Sequence, residues 1–222
     1  MNNRVLVVAP HPDDEILGCG GTIARHTAQG DEVQVLIMTR GAPDVYPLDD
    51  EEDIRREAKA AHATLGVSKT HFLDFPAPKL DTIPGYQLAD AIATIIRQYQ
   101  PQIIYSPHRG DVHLDHQKVY LATLVAARPV NQCPVRQLLC YETLSETEWA
   151  PPASDTAFVP TVFINITDYL DLKLKAMHCY QSELQHTPHP RSLQAIETLA
   201  KQRGSTVSLL AAEAFMLVRQ II

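Results

Sequence analysis

A histidine and three carboxylates stand together in His11-Pro12-Asp13-Asp14-Glu15, directly after the apolar run Val5-Leu6-Val7-Val8-Ala9. The apolar run reads as a buried strand, and the polar one as the loop and helix start that follow it. That is where open α/β sheets bind their ligands. An acidic pair alone would suit a solvated helix N-terminus, but a second cluster repeats the grammar. Asp111-Val112-His113-Leu114-Asp115-His116 also follows a strand-like run, Ile103-Ile104-Tyr105-Ser106. His113 and His116 are neighbours on a helix if one has begun there. Neutral imidazoles with a carboxylate make a donor set that suits zinc and can also hold iron, nickel or cobalt. A catalytic zinc takes three protein ligands and keeps its fourth position open. His11, one of the two neighbouring Asp residues and one His of the second cluster would supply that set. The chemistry these residues argue for is metal-assisted hydrolysis of a polar carbonyl compound.

The two clusters carry a family resemblance. The chain resembles the LmbE/PIG-L family of zinc-dependent de-N-acetylases, whose signature A-H-P-D-D-E reads here as Ala9-Pro10-His11-Pro12-Asp13-Asp14-Glu15 and whose H-x-D-H reads as His113-Leu114-Asp115-His116. Pro10 is an extra residue, and Leu114 stands where many members have Pro; neither touches a ligand atom. The likeness extends to Arg55-Arg56-Glu57 with Ala61 and Leu65-Gly66, to Tyr180-Gln181-Ser182-Glu183, and to Ala212-Glu213-Ala214-Phe215. It implies His11, Asp14 and His116 as metal ligands, zinc as cofactor and Asp13 as general base. His113 is the first candidate for the oxyanion donor or for the acid that protonates the leaving amine, with Asp115 as the carboxylate that holds its tautomer. His189, in the proline-stiffened segment Pro188-His189-Pro190-Arg191-Ser192, is its rival. Arg191 could hold a hydroxyl or phosphate of the substrate. Family members place an arginine near Arg55 or Arg56 on the sugar, and Arg109, beside His108 at the end of the Ile103-Ser106 strand, is a further substrate-binding candidate. The reaction implied is removal of acetyl from an N-acetylglucosamine-type sugar, free, conjugated or nucleotide-linked. Bacterial relatives are commonly homo-oligomers, often built from trimers. Hydrolysis of another amide or ester, and a non-catalytic binding module with a vestigial metal site, are the alternatives.

The elements that must position these residues read as one α/β domain over 1–222, a Rossmann-like three-layer α/β/α sandwich with a mostly parallel sheet. Strand-like runs at Val5-Ala9, Val33-Met38, His71-Phe75, Ile103-Ser106 and Leu138-Glu142 alternate with helical spacing at Glu15-Ala28, Ile54-Leu65, Leu88-Tyr99 and Gln117-Ala127. Thr161-Ile166 adds a strand, and Tyr169-Glu183, Ser192-Arg203 and Leu209-Ile221 read as late helices. Gly18-Cys19-Gly20-Gly21 carries no phosphate-loop pattern and instead suits close packing of the first helix on the sheet. Cys19 could line the pocket. The loop Gly41-Pro47 follows the second strand, and Tyr46 on it could stack on a sugar ring. His26, His62, His71 and His178 have no chemical neighbours in the sequence and read as surface or satisfied core histidines.

At 222 residues, 45% of them hydrophobic and 20% charged, the chain is of ordinary globular make-up. A net charge of −7 excludes the basic footprint of a nucleic-acid binder. No apolar stretch approaches the ~20 residues of a membrane span, and Met1-Asn2-Asn3-Arg4 does not read as a secretion signal. The four cysteines form no C-x-x-C pair, which argues against a thiolate metal site. The expected location is the cytoplasm.

Overall fold

A computed structural model describes residues 2–46, 48–151 and 153–222. Met1, Pro152 and Pro47, the last at the end of the Gly41-Pro47 loop, lie outside the described residues. The strands are β1 (Arg4–Ala9), β2 (Glu32–Gly41), β3 (Lys69–Ala77), β4 (Ile103–Pro107), β5 (Gln137–Tyr141), β6 (Val162–Asn165) and β7 (Ala212–Gln220). The helices are α1 (Asp14–Ala28), α2 (Leu48–Leu65), α3 (Gly85–Tyr99), α4 (Leu114–Ala126), α5 (Leu170–His178) and α6 (Leu193–Ser205), and a 3-10 turn spans Leu80–Thr82.

The strands form one seven-stranded sheet in the order β3-β2-β1-β4-β5-β7-β6. β1 to β5 pair in parallel, and β7 runs antiparallel to both its neighbours. The unbroken apolar run of β1 follows from this position. Val5, Val7 and Ala9 face a core built with α1, α2, α5 and α6, while Leu6 and Val8 face a second core built with α3 and α4. A strand covered on both faces has no solvent side on which to place polar residues. The expected three-layer sandwich is what forms.

The last element departs from expectation. Leu209-Ile221 reads as a helix in the sequence, but Ala212–Gln220 is strand β7, inserted between β5 and β6. A short apolar run does not distinguish helix from strand by itself, and here two open strand edges decide it. Glu213 on β7 accepts the backbone N–H groups of Gly21 and Thr22 at 2.9 and 2.7 Å. Its charge is met by Lys173 Nζ at 2.6 Å, and that ammonium also donates to the Leu17 carbonyl. This buried pair ties α1, α5 and β7 together.

The glycines of α1 let it approach the sheet. A Cβ on Gly18 would lie 2.2 Å from Tyr141 Cδ2, and one on Gly21 would lie 2.7 Å from Ile166 Cδ1. The Tyr141 hydroxyl beneath α1 donates to the Val8 carbonyl at 2.9 Å. Cys19 lies inside the same apolar core rather than lining a pocket. None of the helices in the described residues is long and apolar enough to cross a membrane.

Candidate metal centre and active site

β1 and β4 lie side by side in parallel, yet the chain passes from β1 outward to β2 and β3 before returning to β4 on the other side. That reversal makes the crevice at their carboxyl ends a topological switch point. The two polar clusters emerge there, one from each strand.

Asp13 begins the turn into α1 at φ 107°, a left-handed backbone that a non-glycine residue rarely adopts. Three contacts hold it. Its carbonyl accepts the N–H groups of Ile16 and Leu17 at 2.9 Å each, and its own N–H donates to Glu15 Oε2 at 3.2 Å. Glu15 is itself fixed, because Oε1 accepts from the Tyr180 hydroxyl at 2.5 Å and lies 3.0 Å from His62 Nε2. His62, whose other nitrogen lies 2.7 Å from Thr70 Oγ1, is thus a satisfied core histidine with a supporting task.

The imidazoles of His11, His113 and His116 converge, with ring centroids 4.7 to 5.4 Å apart. Asp14 Oδ2 lies 3.2 Å from His11 Nδ1 and 3.3 Å from His116 Nε2. One donor atom from each of His11, Asp14 and His116 falls within 4.8 Å of the others, a group that could hold a metal ion. Asp14 Oδ1 and His116 Nε2 are buried with no hydrogen-bond partner. Buried orphan acceptors carry an energetic penalty, and a cation between them would remove it.

The remaining nitrogens are oriented by carboxylates. His11 Nε2 lies 3.0 Å from Asp115 Oδ2, and His116 Nδ1 lies 2.9 Å from Asp111 Oδ2. These partners fix which nitrogen of each ring faces the centre. They are anchored in turn: Asp115 Oδ1 accepts the Leu80 N–H at 2.9 Å, and Asp111 Oδ1 accepts from the Thr147 hydroxyl at 2.7 Å. Burial would keep His11 neutral, but Asp115 and Asp14 outweigh it and raise its pKa to about 9. Burial would likewise protonate Asp14, yet His116 and His11 hold its carboxyl well below the usual range. The cluster calls for positive charge, which a dication supplies as it displaces protons.

Asp115 corrects the sequence reading. It orients His11, not His113; toward His113 it offers only its backbone N–H, at 3.1 Å from Nδ1. Since a backbone N–H can only donate, His113 Nδ1 is the bare nitrogen and its proton sits on Nε2. Burial, then the neighbouring His11 and His116, lower the His113 pKa to about 4, so the ring is neutral at pH 7. His113, Asp115 and His11 form a second possible donor group, but its Asp115–His11 contact already serves to orient a ligand.

Asp13 stays outside the ligand group. Its Oδ2 is buried and accepts no hydrogen bond, and burial pushes its carboxyl up, opposed by Arg191 and reinforced by Asp14 and Glu183. A buried carboxylate with a free lone pair and a raised pKa has the properties of a general base.

The outer candidates divide. Arg191 reaches the site, with Nη1 3.3 Å from Asp13 Oδ2. His189 does not join the converging rings; Nδ1 accepts the Arg191 N–H at 3.1 Å, and its ring stands edge-on to Trp149 at 6.1 Å. Arg55 donates to the Leu73 carbonyl and Asp74 on β3, at 2.9 and 2.7 Å. Arg109 donates to the Asp155 carbonyl, and neighbouring His108 Nε2 lies 2.7 Å from the Thr156 carbonyl. No contact among the described residues joins Arg55, Arg109 or His189 to the ligand group. Sequence reasoning gave no task to Asp111, Glu146, Glu183 or Tyr180. Asp111 had a signal in its place within the second cluster, and Tyr180 and Glu183 in the Tyr180-Gln181-Ser182-Glu183 stretch of the family likeness; Glu146 had none.

The PIG-L family profile, described as GlcNAc-PI de-N-acetylase, matches residues 6–127. The chain belongs to the PIG-L family. The uncharacterized deacetylase YaiS of Escherichia coli (strain K12) is 31% identical over 187 residues, covering 80% of this chain and 90% of that protein. The diacetylchitobiose deacetylase of Thermococcus kodakarensis is 28% identical over 81% of this chain and 70% of its own. Among solved structures, the conserved protein TT1542 from Thermus thermophilus superposes with a TM-score of 0.78 at 27% identity, covering 100% of this chain and 97% of that one.

Proposed function

We propose that this PIG-L protein is a zinc-dependent N-deacetylase of an N-acetylglucosamine-type sugar or its conjugate, releasing acetate and a free amine. The observation that carries the reading is the pairing of a His11, Asp14, His116 donor group, with Asp14 and His116 buried and His11 partly so, with an unligated, hydrogen-bond-free Asp13 Oδ2 beside it. Diacetylchitobiose deacetylase among the relatives supports the sugar class.

His11 Nδ1, Asp14 and His116 Nε2 would hold the zinc, which when bound would supply Lewis acidity toward the attacking water and the amide carbonyl. Asp13 Oδ2 takes the proton from that water as its oxygen bonds to the acetyl carbon. His113 Nε2–H is the donor for the carbonyl oxygen as it gains negative charge. Its pKa of about 4 makes it a neutral donor rather than the acid. The proton for the departing nitrogen therefore comes back from Asp13 as the C–N bond breaks.

One domain, a homo-oligomeric assembly and a cytoplasmic location extend this reading. The four free thiols fit a reducing compartment, and Leu114, Leu121 and Val125 leave apolar side chains exposed along α4. Acetate release assayed across N-acetylglucosamine, diacetylchitobiose, UDP-N-acetylglucosamine and N-acetylated thiol conjugates tests the function. Release from a sugar supports it, and release from the thiol conjugates alone would move the activity to another amide.

A further inference from the structure

The segment after α5 grips the proposed base from two sides. Tyr180 fixes Glu15, which accepts the Asp13 N–H. Three residues on, Glu183 accepts from Arg191 Nη1 at 2.7 Å, and the same Nη1 faces Asp13 Oδ2 at 3.3 Å. Arg191 Nε donates to Ser145 Oγ at 2.8 Å, while Nη2 lies 3.8 Å from Glu146 Oε1. The guanidinium is therefore hydrogen-bonded to Glu183 and Ser145 and merely adjacent to Asp13, whose Oδ2 keeps its lone pair free. An arginine that recognised a phosphate or carboxylate would present a bidentate fork to it. This one is enclosed by carboxylates instead.

We infer that Arg191, held by Glu183 and Ser145, is a positioning residue that places the Asp13 carboxylate for proton abstraction, and is not a substrate ligand. The inference rests on the reading of Asp13 as base. Arg191 supplies charge and a wall on one side of Asp13, and Glu15 fixes the backbone on the other. The Asp13 side chain is thereby confined without its acceptor atom being consumed. Misplacing a catalytic group by about 1 Å can lower turnover about 10²-fold.

The test is steady-state kinetics of wild type, Arg191→Ala and Glu183→Gln on diacetylchitobiose, which is neutral, and UDP-N-acetylglucosamine, which is anionic, with metal content measured on each sample. Arg191→Ala should lower kcat about 10²-fold on both substrates, leave KM within about threefold and keep the metal. Added guanidinium should restore part of the rate. Glu183→Gln, which loosens the clamp without removing the arginine, should lower kcat less and in the same direction. A raised KM with kcat retained, or a loss confined to the anionic substrate, would overturn the inference and make Arg191 a substrate ligand. Thermal unfolding of the metal-stripped protein reads the pairing without turnover. Tm shifts of Arg191→Ala and Asp13→Asn that are less than additive support it, and additive shifts overturn it. A wild type that releases no acetate would sink the deacetylase reading, while the melting cycle still decides whether Arg191 and Asp13 act together.

Discussion

Asp13 and Asp14 are adjacent in sequence and identical in type, yet the fold gives them opposite surroundings. Asp14 lies between two imidazoles and is held ionised; Asp13 faces a guanidinium that does not hydrogen-bond to it, and burial raises its pKa. Substitution should separate them. Asp13→Asn is expected to lower kcat by about 10²–10⁴-fold with metal retained, and His113→Ala to do the same, the range typical of groups that act on the proton or the developing charge. His189→Ala, which touches the Arg191 backbone and not the ring cluster, should have a smaller effect; an equal loss with metal retained would move the oxyanion contact to that loop. Asp111→Asn and Asp115→Asn remove the carboxylates behind His116 and His11, and each should weaken metal affinity roughly 10–100-fold, read by competition with a chromogenic chelator. The donor types brought together at the strand ends were legible in the sequence because two clusters with matching donors each followed a strand. The partner of Asp115 was not, since adjacency to His113 in the chain says nothing about which ring its carboxylate meets across 104 residues of separation.

Close packing of α1 on the sheet places the Asp13-Asp14 turn at the end of β1. Gly18→Ala would drive a Cβ to 2.2 Å from the Tyr141 ring, whose hydroxyl is already committed to the Val8 carbonyl. Overpacking of this kind costs about 1–3 kcal/mol, and urea unfolding should show a loss of that order. The glycine cluster revealed this element in the sequence, because small residues on one helix face signal close approach. β7 was illegible for the opposite reason. Its residues suit a helix or a strand equally, and only the open edges of β5 and β6 choose between them. The buried Lys173–Glu213 pair that locks β7 to α1 likewise joins residues whose meeting depends on the whole sheet.

Over the whole molecule, the switch point gathers acidic groups whose protonation is linked to folding. Burial raises the Glu146 carboxyl from its ordinary 4.5 to about 7, with Asp14 adding and His116 and Arg191 opposing. A carboxyl whose pKa is higher in the folded state binds more protons there. The stability it contributes is complete below pH 4.5 and is lost as pH rises to about 7. Denaturant melts of the metal-stripped protein should show that decline, and Glu146→Gln should flatten it over the same window; an unchanged slope would remove Glu146 as its source. The three-layer plan and the mostly parallel sheet follow from strand-helix alternation in the sequence, whereas the carboxylates around Arg191, those of Asp13, Glu146 and Glu183, come from three segments far apart in the chain whose meeting depends on the fold.

Metal content and acetate release should be measured on one purified sample, before chelation, after it and after zinc is restored. A zinc-dependent deacetylase should carry about one metal per chain, release acetate from an N-acetylglucosamine-type sugar, lose that activity on chelation and regain it with zinc. Acetate release that survives complete removal of metal would contradict zinc dependence.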